Sequence, residues 1–164
     1  MVLQAVWCGV LSWLVPLAVW AQIPTVTVKT VTGKPVSTET FRNDGKPTII
    51  SFWATWCKPC IQELNSLKDE YEAIHAETGL KVIAVSIDDS RSSNRVQSFL
   101  ASKGWPYEVY LDENSEFKRA MGVANVPHTF VLDGKGKVVA QHTSYVPGDE
   151  LNLLNEVREA ARHK

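Results

Sequence analysis

The stretch "TIISFWATWCKPC", residues 48–60, joins two patterns. Residues 48–53 are a near-continuous apolar run and read as a buried strand. Past the cysteines, Ile61, Leu64, Leu67, Tyr71 and Ile74 recur every three or four residues, the period of an amphipathic helix, and Gly79 lies beyond its end. A buried strand thus delivers a C-x-x-C pair to the start of a helix. Cys57 is expected at the helix N-terminus, exposed, where free backbone N–H groups stabilise a thiolate. Cys60 is expected one turn further in and shielded. Pro59 suits the first helical turn, where its missing N–H costs nothing.

Working outward, residues 25–41 are rich in β-branched residues and broken at Gly33-Lys34-Pro35, which predicts an N-terminal strand or hairpin. "NDGKP" at 43–47 is a turn. "KVIAVSID" at 81–88 is a second buried strand, followed by a helix over about 92–103 with Val96, Phe99 and Leu100 on its apolar side. "YEVYL" at 107–111 is a further strand, and a short helix covers about 115–121. "TFVLD" at 129–133 and "KVVAQHTS" at 137–144 flank "GKG" as a hairpin. A last helix begins near Asp149, a candidate N-cap, with Leu151, Leu154, Val157 and Ala161 as its stripe. Alternating helices and apolar strands predict an α/β sandwich, with helices on both faces of a central sheet.

Of the 164 residues 45% are apolar, enough for one core, and the net charge is −1. That balance argues against nucleic-acid binding, which would normally show a basic excess. Residues 1–21 contain no Lys, Arg, Asp or Glu and end in "AVWA". They read as a secretory signal peptide, the alternative being an uncleaved membrane anchor. Residues 22–164 form the folded domain, placed in the periplasm or secreted, or anchored facing the periplasm. Cys8 falls in the leader, so the mature chain holds only Cys57 and Cys60.

A structural zinc site needs four ligands; His75 follows Cys60 at a tolerable distance, but Gly79, Leu80 and Lys81 stand where a second histidine should be and His128, His142 and His163 are scattered, so no metal is expected. Haem attachment needs a histidine directly after the second cysteine, where Ile61 stands. A disulfide across two intervening residues constrains the unfolded chain little and is a poor structural clip. Thiol–disulfide exchange fits the pair, since the first thiol of such motifs has a pKa lowered to between about 3.5 and 7.5. Lys58 adds a positive charge beside Cys57, a tuning effect worth about 0–1 kcal/mol if exposed. No cofactor beyond the Cys57–Cys60 dithiol is expected.

"FWATWCKPC" resembles the W-C-x-P-C active site of the thioredoxin superfamily. More narrowly, the chain resembles the TlpA/ResA-like extracytoplasmic thiol–disulfide oxidoreductases. The helix and strand at about 90–112 are similar to an insertion in those proteins, and "GVANVPHTFVLDGKGKVV" at 122–139 to their cis-proline segment. The resemblance implies a thioredoxin-like sandwich with a central mixed sheet. It implies a cis peptide bond at Pro127 facing the cysteines, with the backbone of Val126 pairing a substrate strand and Trp56 beside the pair. Plain thioredoxins carry a buried Asp where this chain has Ser51, which cannot act as a base. Glu63, one helical turn from Cys60, is the substitute.

The expected function is exchange of the Cys57–Cys60 pair with protein disulfides, as a reductant of the kind used in cytochrome c maturation. The expected partners are protein thiols or disulfides and a membrane or periplasmic electron donor, with the protein a monomer. A disulfide oxidase and a thioredoxin-like chaperone or binding module are the alternatives. A peroxidase of the P-x-x-x-T/S-x-x-C pattern would need Pro and Thr or Ser where Ile50 and Ala54 stand.

Overall fold

The computed structural model describes residues 22–162; the leader reading of residues 1–21, with Cys8, falls outside the described residues. The N-terminal segment is a hairpin of β1 (Thr27–Thr30) and β2 (Pro35–Ser37), followed by a 3-10 turn at Thr38–Phe41. The remaining strands are β3 (Thr48–Trp53), β4 (Lys81–Ser86), β5 (Glu108–Leu111), β6 (His128–Leu132) and β7 (Val138–Thr143). The helices are α1 (Lys58–Thr78), α2 (Ser93–Lys103), α3 (Glu116–Ala120) and α4 (Asp149–Arg162).

The seven strands form one mixed sheet in the order β2-β1-β5-β4-β3-β6-β7. Strands β3, β4 and β5 run parallel, and the remaining neighbours pair antiparallel. All six residues of β3 are buried, as expected of a strand covered on both faces.

Alternation along β3 divides the core. Ile50 and Phe52 join Phe41, Phe117 and Phe130 on the face covered by α3 and the 3-10 turn. Ile49 packs with Leu67 and Ile74 of α1 and Leu153, Leu154 and Val157 of α4. Trp53 lies in the same layer, with Leu64 of α1 and Val96 of α2. Ser51, between Ile49 and Trp53, therefore faces α1.

Two details of α4 depart from the sequence reading. Its buried stripe is Leu153, Leu154, Val157 and Ala160, and Leu151 is exposed. Asp149 lies inside the first turn rather than capping it. Its carboxylate accepts the Val146 N–H at 2.9 Å, so the chain before the helix, not apolar spacing alone, sets which side faces the sheet.

Gly134 sits against the Gly45 backbone, where an added Cβ would collide with the Gly45 carbonyl. Backbone cannot give way as a side chain tip can. Gly134→Ala is expected to destabilise the fold by about 1–3 kcal/mol. The check is the urea midpoint, and an unchanged midpoint would refute this close approach.

Candidate active site

Strand β3 ends at Trp53, and the chain turns through Ala54-Thr55-Trp56 into α1. Cys57 is the N-cap residue of α1, with Pro59 in the first turn. The Cys57 sulfur accepts the Cys60 N–H at 3.3 Å, so one of the free donors at the helix start points at it. Cys57 and Cys60 form a disulfide, with Cα atoms 5.4 Å apart.

Cys57 is not exposed as the sequence reading expected. It is 4% exposed and Cys60 0%. The disulfide ties both sulfurs into a cluster with Trp53, Leu64 and Val96, leaving Cys57 a narrow opening and Cys60 none. Lys58 is exposed beside them, and Trp56 is 68% exposed.

The peptide bond between Val126 and Pro127 is cis. Val126 packs against the cluster that contains both cysteines. Among the described residues, the Val126 N–H and C=O take no hydrogen bond, whereas the Pro127 carbonyl accepts the Ser144 N–H at 3.1 Å. A pair of free backbone groups therefore borders the disulfide, the requirement for adding an extended segment. His128 has no part in this edge. It stacks on Phe130 (4.4 Å between ring centroids) and pairs with Gln141 at 3.2 Å, on the opposite side of the sheet from Thr129.

Glu63 is buried on the inner face of α1, one turn beyond Cys60. Its Oε1 accepts the Thr129 hydroxyl at 2.8 Å and its Oε2 the Ser51 hydroxyl at 3.3 Å. Thr129 and Ser51 are cross-strand partners in β6 and β3, with hydroxyls 3.0 Å apart. Burial pushes the Glu63 carboxyl up to about 7. The hydroxyl bonds from Thr129 and Ser51 oppose the rise, as does the charge of His142, and Asp149 adds to it.

This triangle satisfies either protonation state. Ionised, Glu63 accepts one hydroxyl proton on each oxygen. Neutral, it donates to Thr129, which donates to Ser51, which donates back to the other carboxyl oxygen. The site can therefore take up or release one proton near neutral pH without stranding a buried polar atom.

Sequence reasoning named Glu63 but not its partners. Thr129 is legible only as one β-branched residue in a strand, and Ser51 only as a residue that cannot be a base. It missed Asp88 altogether. This buried carboxylate, just past β4, accepts the Thr55 N–H at 2.9 Å, the Thr55 hydroxyl at 2.7 Å and the Ser86 hydroxyl at 2.8 Å. It fixes the turn that carries Trp56 and Cys57. A carboxylate closing an apolar strand was the available signal. Asp88→Ala leaves those donors without an acceptor and is expected to destabilise the protein by about 2–4 kcal/mol. Thermal or urea unfolding measures this, and a loss under 1 kcal/mol would show that Thr55 is held by other means.

Comparison with known proteins agrees with this geometry. The sequence profile of the AhpC/TSA family matches residues 19–141. The thiol–disulfide oxidoreductase ResA of Bacillus thuringiensis subsp. konkukian (strain 97-27) is 29% identical over 120 residues, 73% of this chain and 66% of the relative. The chain thus spans just under two thirds of that relative's length. The sporulation thiol–disulfide oxidoreductase A of Bacillus subtilis (strain 168) is 28% identical over 130 residues, 79% of this chain and 76% of the relative. The solution structure of an uncharacterized thioredoxin-like protein from Porphyromonas gingivalis is 46% identical, with a TM-score of 0.77 over 87% of this chain and 94% of the other.

Proposed function

The chain belongs to the AhpC/TSA family and has a thioredoxin-like fold, and from that premise we propose that it is a thiol–disulfide oxidoreductase acting on protein disulfides as a reductant. The observation that carries the reading is the Cys57–Cys60 disulfide at the start of α1 with a buried carboxyl, Glu63, one turn beyond.

In the reduced protein the Cys57 thiolate attacks one sulfur of a substrate disulfide. The substrate S–S bond breaks, its other sulfur leaves as a thiolate and takes a proton from solvent, and a mixed disulfide with Cys57 forms. Free N–H groups at the helix start favour the Cys57 thiolate. Cys60 then transfers its proton to the ionised Glu63 and attacks the Cys57 sulfur. The second substrate thiol is released, and two electrons have passed from the protein to the substrate. When a donor dithiol later attacks Cys57, the same path runs backwards. Cys60 leaves as a thiolate, and the protonated Glu63 returns the proton. The free backbone groups of Val126 hold the substrate chain across the disulfide, and Trp56 forms the rim beside it.

The redox-active disulfide is the only redox group this cycle requires. The natural setting is outside the cytoplasm, where protein disulfides persist, with a membrane or periplasmic donor restoring the dithiol. Tasks of the cytochrome c maturation kind fit a reductant there. The protein acts as a monomer. No helix among the described residues is long and apolar enough to cross a membrane.

Insulin reduction tests the assignment. The reduced wild type should precipitate the insulin B chain with a dithiol as electron source, and Cys57→Ser should not. Equal rates for the two proteins would leave the fold to a chaperone or binding role.

A further inference from the structure

Beside the disulfide, between the turn that carries Cys57 and the start of α2, runs an open groove of about 490 Å³. Thr55, Trp56, Ser92, Arg95, Ser98 and Phe99 line it. Trp56, which precedes Cys57 in the chain, is the most exposed of the large apolar side chains among the described residues, at 68%.

The groove offers one charged group, the Arg95 guanidinium, and three hydroxyls. The Thr55 hydroxyl donates to Asp88 at 2.7 Å, and the Ser92 hydroxyl to Asp89 at 2.9 Å. Both walls are thereby fixed, and both hydroxyl protons are used. Asp89 is also bound by Arg91 at 2.9 Å, and Asp88 is buried beneath its three donors. What remains available to donate is the exposed Ser98 hydroxyl and the exposed guanidinium of Arg95, which has no partner among the described residues. Lys58 stands exposed in the first turn of α1. No carboxylate lines the groove.

Phe99 makes a firm floor, its ring 5.6 Å from Trp53 and 6.0 Å from Trp105. The unpaired Arg95 guanidinium, beside the exposed face of Trp56, matches a carboxylate carried on a peptide. In a chain of net charge −1 this is a local basic feature, beside the turn that carries Cys57.

We propose that this groove binds an acidic segment of the substrate protein close in sequence to the reacting cysteine. Arg95 pairs with an Asp or Glu side chain of that segment, and the flanking side chain lies on Trp56. The inference rests on the oxidoreductase reading and adds a substrate preference to it.

Two synthetic peptides test it, each closed by one disulfide and identical except for two residues beside the cysteine, Glu-Glu in one and Gln-Gln in the other. For an exposed ion pair the wild type should favour the acidic peptide about three- to five-fold in kcat/KM, carried by KM. The preference should shrink as ionic strength rises. Arg95→Gln should abolish it and Arg95→Glu should reverse it. Arg119→Gln, which removes a charge from α3 outside the groove, should keep it. No preference in the wild type, or one that survives Arg95→Gln, would overturn the proposal. A wild type that reduces neither peptide would remove the oxidoreductase reading and this inference with it.

Discussion

Cys60→Ser is expected to halt turnover at the mixed disulfide, lowering steady-state disulfide reduction by at least about a thousandfold, as loss of a reacting group does elsewhere. Cys57 can still attack, since its position at the start of α1 is unchanged. The next step has no intramolecular thiol, so Cys57 stays bonded to its substrate. Non-reducing electrophoresis should show protein–substrate adducts that disappear with excess dithiol. Cys57→Ser should lose activity to the same extent and form no adduct. The narrow opening over Cys57 and the complete burial of Cys60 set this order. Adducts that formed on Cys60 in Cys57→Ser would reverse the roles.

Glu63→Gln is the second large effect, and it acts on rate and stability in opposite directions. Removal of a positioned acid–base group typically costs about 10²–10⁴-fold. The step that moves a proton to or from Cys60 should slow by about a hundredfold near pH 7. The gap should narrow at high pH, where solvent base can deprotonate the thiol directly. Stability follows from the carboxyl being pushed up to about 7 from 4.5. The folded protein holds this proton more tightly than the unfolded chain does. The resulting stabilisation is fully present below about pH 4.5 and is lost as pH rises through about 7. Its size is on the order of 3 kcal/mol. Glutamine reproduces the hydrogen bonding of the neutral acid to Thr129 and Ser51 and cannot ionise. The oxidised variant should therefore be more stable than the wild type at pH 8 by about 1–3 kcal/mol, and similar to it at pH 4. His142 and Asp149 act on Glu63 through their charges and are common to both proteins, so the difference isolates Glu63. Unchanged rate and unchanged pH dependence of unfolding would make Glu63 a bystander.

Strand β3 and helix α1 were legible because each carries an unbroken periodic signal, and the C-x-x-C pair lies at their junction. Glu63 was legible by helical spacing from Cys60 alone. Its environment was not, because it depends on register. Ser51 meets Thr129 only once β3 pairs with β6, 78 positions apart in the chain. The hold of Asp88 on Thr55 is likewise a product of the parallel pairing of β3 with β4. The α4 stripe was misplaced because Leu151 and Leu153 both suit a helical period, and the turn at 146–150 decides between them. The burial of Cys57 was missed because a position at a helix start says nothing of what the next layer covers. Trp53 of β3, Val96 of α2 and Val126 of the loop before β6 come from separate parts of the chain to the cluster that holds it.

The reduction potential of the Cys57–Cys60 pair tests the central claim most directly. The oxidised and reduced forms can be equilibrated in glutathione or dithiothreitol buffers and followed by thiol alkylation. A reductant of protein disulfides should lie near the thioredoxin value, between about −220 and −270 mV. A value near about −120 mV would mark a disulfide oxidase, and a pair that does not equilibrate with the buffer at all would contradict an exchange function.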